Sequence, residues 1–139
     1  MRIYNNKLER LADQLKALAD ETRLRIMNLI IERECCVCEV MQALGISQTR
    51  ASRNLSQLYD AGLLEQRRDG LWTIYYLDSG SGTGHHALLV SAVEQGLKND
   101  ALSTADRRRL RESKRLCPPS GLPHSSQGDL AQPENVRCP

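Results

Sequence analysis

The stretch VCEVMQALGISQTRASRNLSQLYD, residues 37–60, decides how this chain is built. Val37, Val40, Met41 and Leu44 recur at the steps i, i+3, i+4 and i+7, which is one face of a short helix. Gly45 follows at once, where a helix C-terminus prefers a residue free to adopt positive φ. Ser47 stands two residues further on as the N-cap of a second helix, whose inward stripe is Ala51, Leu55 and Leu58. Gly62 closes it. Two helices joined by so short a turn, Val37–Leu44 and Gln48–Asp60, predict a helix-turn-helix.

With that stripe turned inward, at about 100° per residue, Thr49, Arg50, Arg53, Ser56 and Gln57 face outward. An Arg fork suits guanine or phosphate, and Gln suits adenine. Gln48 and Thr49 occupy the first turn, where a recognition helix meets the groove floor. Ser47 and Ser52 are candidate phosphate donors. Taken alone, such a face reads equally well as a solvated surface. The setting favours DNA: a short helix before it, a glycine in the turn, a serine cap and a basic hairpin after it.

That hairpin is predicted over Leu64–Arg68 and Leu71–Leu77, around the turn signal Asp69-Gly70. Arg67 and Arg68 flank the turn and are candidates for backbone or minor-groove contact. Upstream, Leu8, Leu11, Leu15 and Leu18 define a helix of roughly Asn6 to Ala19. Asp20 then caps a helix from about Glu21 to Glu32, with Leu24, Met27, Ile30 and Ile31 apolar. Downstream, Ser79–Gly84 reads as a Gly/Ser hinge. Ala87, Val90, Val93 and Leu97 mark a helix of about His85–Lys98, without an evident partner in the chain. A basic helix over Leu102–Leu116 follows.

All five prolines fall at or after residue 118, and no apolar periodicity survives there. The organisation expected is therefore a winged helix-turn-helix and dimerisation domain over 1–98, a basic helical extension over 99–117, and a disordered Pro/Gly/Ser-rich tail over 118–139. The fold class is mostly α with a small β-hairpin. A folded part this small leaves apolar surface exposed, so a homodimer is expected. Its two reading helices would then meet an operator about one duplex turn apart.

The formal net charge of +2 does not by itself announce a nucleic-acid binder, and acids match bases over residues 1–78. DNA binding must rest on local placement of arginine. No secretory signal and no long apolar run is evident, which favours a cytoplasmic protein and excludes a membrane partner.

Three cysteines, Cys35, Cys36 and Cys38, fall within four residues at the start of the first helix of the pair. So short a spacing rules out a disulfide framework and, in a cytoplasmic chain, points to metal or redox chemistry. On an ideal helix Cys35 and Cys38 share a face, whereas Cys36 and Cys38 diverge, so pairing of the latter requires the helix to be unwound there. Three sulfurs without a fourth ligand suit a trigonal soft ion better than tetrahedral zinc. A helix N-terminus favours thiolate, and Glu34 and Glu39 oppose that. The competing reading, small buried cysteines, fits one such residue better than three. His85 and His86 are adjacent and diverge on a helix, so a surface or interface role suits them better than ligation. Cys117 and Cys138, in or beside the tail, could add a ligand but read better as adventitious thiols.

Three segments in order resemble the ArsR-type metalloregulatory repressors. Leu15-Lys16-Ala17-Leu18-Ala19-Asp20-Glu21-Thr22-Arg23-Leu24-Arg25-Ile26 is similar to the family's LKALADPTRLRIL. Glu34-Cys35-Cys36-Val37-Cys38-Glu39-Val40-Met41 resembles the arsenic sensors' ELCVCDLC, and Ser47-Gln48-Thr49-Arg50-Ala51-Ser52-Arg53-Asn54-Leu55 resembles SQPKISRHL. The resemblance covers about Leu8 to Leu97. Two departures stand out. Met41 occupies the place of the arsenic sensors' third cysteine, and Cys35 replaces the usual Leu. No cysteine precedes Cys35, as cadmium and lead sensors of the family require, and His85 and His86 do not reproduce the zinc-sensor pattern.

The resemblance implies a homodimeric repressor that trivalent arsenic, with antimony as a second candidate, binds through Cys35, Cys36 and Cys38 and releases from operator DNA. A same-fold sensor of zinc, cadmium or thiol oxidation is the nearest rival. A thiol enzyme or metal carrier is the rival from another class. The chain offers no phosphate loop, no strand-helix setting for a redox pair and no general base, so no enzyme is expected.

Overall fold

A computed structural model describes residues 2–77 and 84–116. The Ser79–Gly84 hinge, apart from Gly84, and the tail with Cys117 and Cys138 lie outside the described residues.

Six helices and three short strands follow one another as α1 (Lys7–Leu18), α2 (Glu21–Glu32), β1 (Cys35–Cys36), α3 (Val37–Leu44), α4 (Gln48–Asp60), β2 (Glu65–Asp69), β3 (Trp72–Tyr76), α5 (Gly84–Gly96) and α6 (Ala101–Glu112). The caps explain why the breaks fall there. Asn6, Asp20, Ser47 and Asp100 each accept a hydrogen bond from the backbone amide three residues on, satisfying a donor that the first helical turn leaves unpaired. Gly45 closes α3 in the left-handed region at φ 70°.

The core lies between α2, α3 and α4. Ile26, Met27 and Leu29 meet Val40, Ala43, Ala51, Leu55 and Leu58, all fully enclosed, with Leu63 and Leu64 sealing the entry to the wing. α3 and α4 thus form the helix-turn-helix over the boundaries that their periodicity dictates.

The wing differs from a simple hairpin. Its sheet has three antiparallel strands in the order β1-β3-β2, with Cys35 opposite Tyr75 and Cys36 opposite Ile74. A strand of two residues carries no detectable period, so this third strand has no signature in sequence. The hairpin turn also sits one residue later than the Asp69-Gly70 signal suggests. Asp69 pairs with Trp72, leaving Gly70 and Leu71 as the loop, and Gly70 takes the positive φ of 66°.

α5 does find an intrachain partner: it lies against α2. The contact is one-sided, because Val93 is its only buried residue while Leu88 stays 71% exposed. α6 packs more deeply, against α2 and α3. Leu110 enters the core, and the wholly buried Asp106 receives Arg25 Nε and Nη2 at 2.8 and 2.9 Å and also Arg109. Arg109 Nε further donates to the Ala43 carbonyl at 2.7 Å. The ion pairs run both ways between α6 and α2: Arg25 of α2 meets Asp106 of α6, while Arg107 and Arg111 of α6 meet Glu32 of α2.

Candidate nucleic-acid interface and thiol site

α4 turns its buried stripe to the core, and Thr49, Arg50, Arg53, Ser56 and Gln57 are exposed; Gln48 and Ser52 are half-buried and Ser47 is exposed. These side chains are not equally free. Ser47 Oγ accepts from the Arg50 amide. Arg50 Nη2 donates to Thr22 Oγ1 at 3.0 Å, and Arg23 on α2 holds both Asn54 and Gln57 at 3.2 and 2.6 Å. Arg53 alone among the α4 arginines has no partner among the described residues.

The wing arginines diverge, as alternation along a strand requires. Arg67 forms a two-pronged pair with Glu34 at 2.8 and 2.7 Å and lies 5.4 Å over the Tyr76 ring. That guanidinium holds the Glu34 carboxyl below its usual range. Arg68, on the opposite strand face, is exposed and has no partner among the described residues.

The cysteine cluster divides in two. Cys35 and Cys36 are neighbours on β1, so their side chains leave opposite faces of the sheet. Cys35 enters the main core, where its thiol donates to the Arg33 carbonyl at 3.3 Å. Burial pushes that thiol up to about 12, with the Glu39 carboxylate adding to the shift. Cys36 and Cys38 instead share a separate cluster with Ile74, bordered by Trp72 and Leu116, and their sulfurs lie 3.1 Å apart.

No unwinding of the helix is needed to bring them together. Cys36 is the N-cap of α3, with extended backbone, so the ideal-helix divergence does not apply to it. Glu39 secures this start: its Oε1 accepts from the Cys36 amide at 2.9 Å, while Arg33 and Arg115 hold its Oε2 at 3.2 and 3.4 Å. Glu39 stands three residues after the cap, where a capping box places an acid, so that role is readable from spacing.

The two thiols are electrostatically unlike. The hydrogen bond from Cys36 holds Cys38 below its usual range against the effect of burial, and the Leu116 amide assists. Cys36 is pushed up because it keeps the shared proton, and its own burial adds to this. A proton held by one sulfur leaves the other as the nucleophile, and adjacent soft donors of this kind suit a thiophilic ion.

A feature with no sequence signature closes the site. After α6, residues 113–116 form a strap across the sulfurs. The Leu116 amide donates to Cys38 Sγ at 3.3 Å, and the Leu116 carbonyl receives Trp72 Nε1 at 2.8 Å. Gln42 Nε2 bridges the carbonyls of Cys38 and Lys114 at 3.0 and 2.7 Å. Arg115 lies 5.8 Å over the Trp72 ring and reaches Asp69 at 3.7 Å. The thiol pair therefore touches the first helix of the helix-turn-helix, the wing strand and the C-terminal strap at once. Met41 does not join the pair; it packs against the main core.

Comparison with known proteins agrees with this architecture. Residues 20–66 match the family described as bacterial regulatory protein, arsR family. The arsenic resistance transcriptional regulator ArsR1 of Pseudomonas putida is 44% identical over 95 residues, 66% of this chain and 74% of that protein. ArsR2 of the same organism is 41% identical over 107 residues, 73% of this chain and 93% of that protein.

The chain belongs to the ArsR family of transcriptional regulators. It is a DNA-binding winged helix-turn-helix protein and not an enzyme. A structural relative is the homodimeric winged helix-turn-helix DNA-binding domain Mb0332 of Mycobacterium bovis. It is 30% identical with a TM-score of 0.56, covering 73% of this chain and 94% of that one. Among the described residues, no helix of this ArsR-family regulator is long and apolar enough to cross a membrane.

Proposed function

We propose that this regulator is a homodimeric repressor that trivalent arsenic releases from its operator, derepressing metalloid-resistance genes, with antimony as a second inducer. The observation that carries the reading is the pair of sulfurs 3.1 Å apart at the start of α3, the helix on which α4 rests. The curated relatives named above are arsenic resistance regulators, which supports the same inducer. Cys36 and Cys38 would hold the ion. Cys35 faces the other way, and a two-residue strand would have to turn over to bring it in.

Induction is a population shift. The ion must prefer a conformation of the α3 start and strap that misplaces α4 and the wing. A preference of about 5.5 kcal/mol carries a two-state equilibrium from almost fully bound to almost fully released. The route is short, because α3 packs on α4 and Trp72 links the strap to the wing. The test is operator binding on the promoter upstream of the coding gene, titrated with arsenite, antimonite, zinc and cadmium. Release by arsenite and antimonite at concentrations where zinc and cadmium do nothing supports the reading. Release by zinc alone overturns it.

Within α4, Arg53 is the free guanidinium, so Arg53→Ala is expected to lose about 1–3 kcal/mol of operator affinity, concentrated at one base-pair position. Arg68→Ala should weaken binding evenly across sequences and flatten the salt dependence by about one counterion. Arg67→Ala should do less than either, because its side chain is already committed to Glu34. Binding measured against salt on operator and random DNA separates the three; wild-type behaviour of Arg53→Ala means another part of α4 reads the groove.

The homodimer follows from apolar surface that one chain leaves open. Leu8 and Leu15 of α1 are 77% and 49% exposed although they belong to its apolar stripe. Leu15, Leu18, Leu24, Leu89, Val93 and Leu97 line one apolar groove between α1, α2 and α5. Sedimentation at micromolar concentration should show a dimer, and Leu15→Glu a monomer with weakened operator binding. A wild-type monomer with and without DNA would remove the interface.

A further inference from the structure

We infer that Arg23, on α2 and outside the reading helix, is a positioning residue for DNA recognition: it sets Gln57 of α4 as a hydrogen-bond donor to an acceptor on the duplex. The inference rests on α4 being the reading helix. One half-buried guanidinium ties α1, α2 and α4 together. Arg23 Nε donates to the Ala17 carbonyl at 2.6 Å, and its Nη1 donates to Asn54 Oδ1 at 3.2 Å and to Gln57 Oε1 at 2.6 Å. The Arg23 backbone is itself fixed, its amide donating to the Asp20 cap at 3.0 Å.

The chemistry of the guanidinium settles which end of each amide it meets. Arginine carries donors and no acceptor, so both amides turn their oxygens to it. For Asn54 both ends are then engaged within the chain, because its Nδ2 donates to the Arg50 carbonyl at 2.9 Å. Gln57 differs. It is exposed, its Oε1 is held, and its Nε2 has no partner among the described residues. A glutamine that reads adenine with two bonds needs its oxygen and its nitrogen together. With the oxygen held by Arg23, Gln57 offers the nitrogen, which only donates. The matching groups are acceptors: O6 and N7 of guanine, O4 of thymine, or a phosphate oxygen. A neighbour 34 residues away thereby turns Gln57 from the adenine pairing that its residue type suggests.

A double-mutant cycle on the full-length protein tests this, read as affinity for the promoter upstream of the coding gene and as base preference in selection from a randomised duplex library. Gln57→Met keeps the length of the side chain and removes the amide; it should bind about fivefold more weakly, the worth of one hydrogen bond. Arg23→Met should lose about as much, and the double variant no more than either, because both substitutions remove the same oriented donor. If the acceptor is a base, Arg23→Met should relax the preference toward adenine at the one position that Gln57→Met affects, a change that a general loss of stability does not produce. If it is a phosphate, both variants should weaken operator and random DNA evenly, with the losses still not additive. Additive losses, or Gln57→Met binding like wild type, overturn the inference. The Gln57 variant decides this even if Arg23→Met fails to fold, because Gln57 lies on the surface. Arg53→Ala separates the two levels. A loss there, with none in Gln57→Met, confines the failure to Arg23 and Gln57; wild-type binding in both means that α4 is not the reading helix.

Discussion

Cys38→Ser is expected to bind operator like wild type and to require at least about a hundredfold more arsenite for release, an affinity loss of about 2.7 kcal/mol. Cys38 is the thiol whose proton is most easily given up and the one that touches Cys36, Leu116 and Lys114 together. Serine keeps the shape and can still accept from the Leu116 amide, so the fold and the α4 face should be undisturbed. Cys36→Ser should be nearly as severe, because it removes the other half of the pair. Fluorescence anisotropy of labelled operator titrated with arsenite reads both quantities in one experiment. Wild-type release in Cys38→Ser would sink the mechanism and would direct attention to a signal other than arsenic.

The second large effect concerns stability. Asp106 is wholly buried and meets two arginines, Arg25 through both of its prongs. Asp106→Ala leaves Arg25 and Arg109 crowded in a site with no anion, and breaking a buried pair in this way costs about 3–5 kcal/mol. Arg25 keeps some access to water, which places the expected loss near the lower end, about 3 kcal/mol. Urea unfolding should show the midpoint fall with little change in slope. A loss under about 1 kcal/mol would mean that α6 is held by Leu110 and its apolar contacts and that the ion pairs are replaceable. Because α6 carries the strap, the same variant should also respond less sharply to arsenite.

Local features were the legible ones. The four helices from α1 to α4, their Asp20 and Ser47 caps and the Gly45 stop follow from period and cap chemistry, interactions made within four or five residues of chain. The outward set on α4 follows from one angle, and the exposed positions agree with it. The division of the cysteines was not legible, because ideal-helix geometry does not reach the two residues before Val37: Cys35 and Cys36 form a strand, Cys36 is also the cap, and alternation there sends the two apart. Glu39 was half legible, its capping position being a matter of spacing and its two arginine partners not.

By itself, then, the sequence determined the order of the helices and the ends of α2, α3 and α4, the glycine and serine punctuation of the helix-turn-helix, and the presence of clustered soft donors beside it, whereas the basic helix expected over Leu102–Leu116 stops at Glu112. Those are consequences of short-range sterics, periodicity and side-chain chemistry. Only the tertiary structure decided which two sulfurs meet, that Arg67 is taken by Glu34 while Arg53 and Arg68 have no partner among the described residues, and that the segment after α6 lies across the thiol site. Each of those pairings joins groups 33 to 78 residues apart in the chain or depends on which face of a sheet a residue leaves, and no local pattern encodes a partner at that distance.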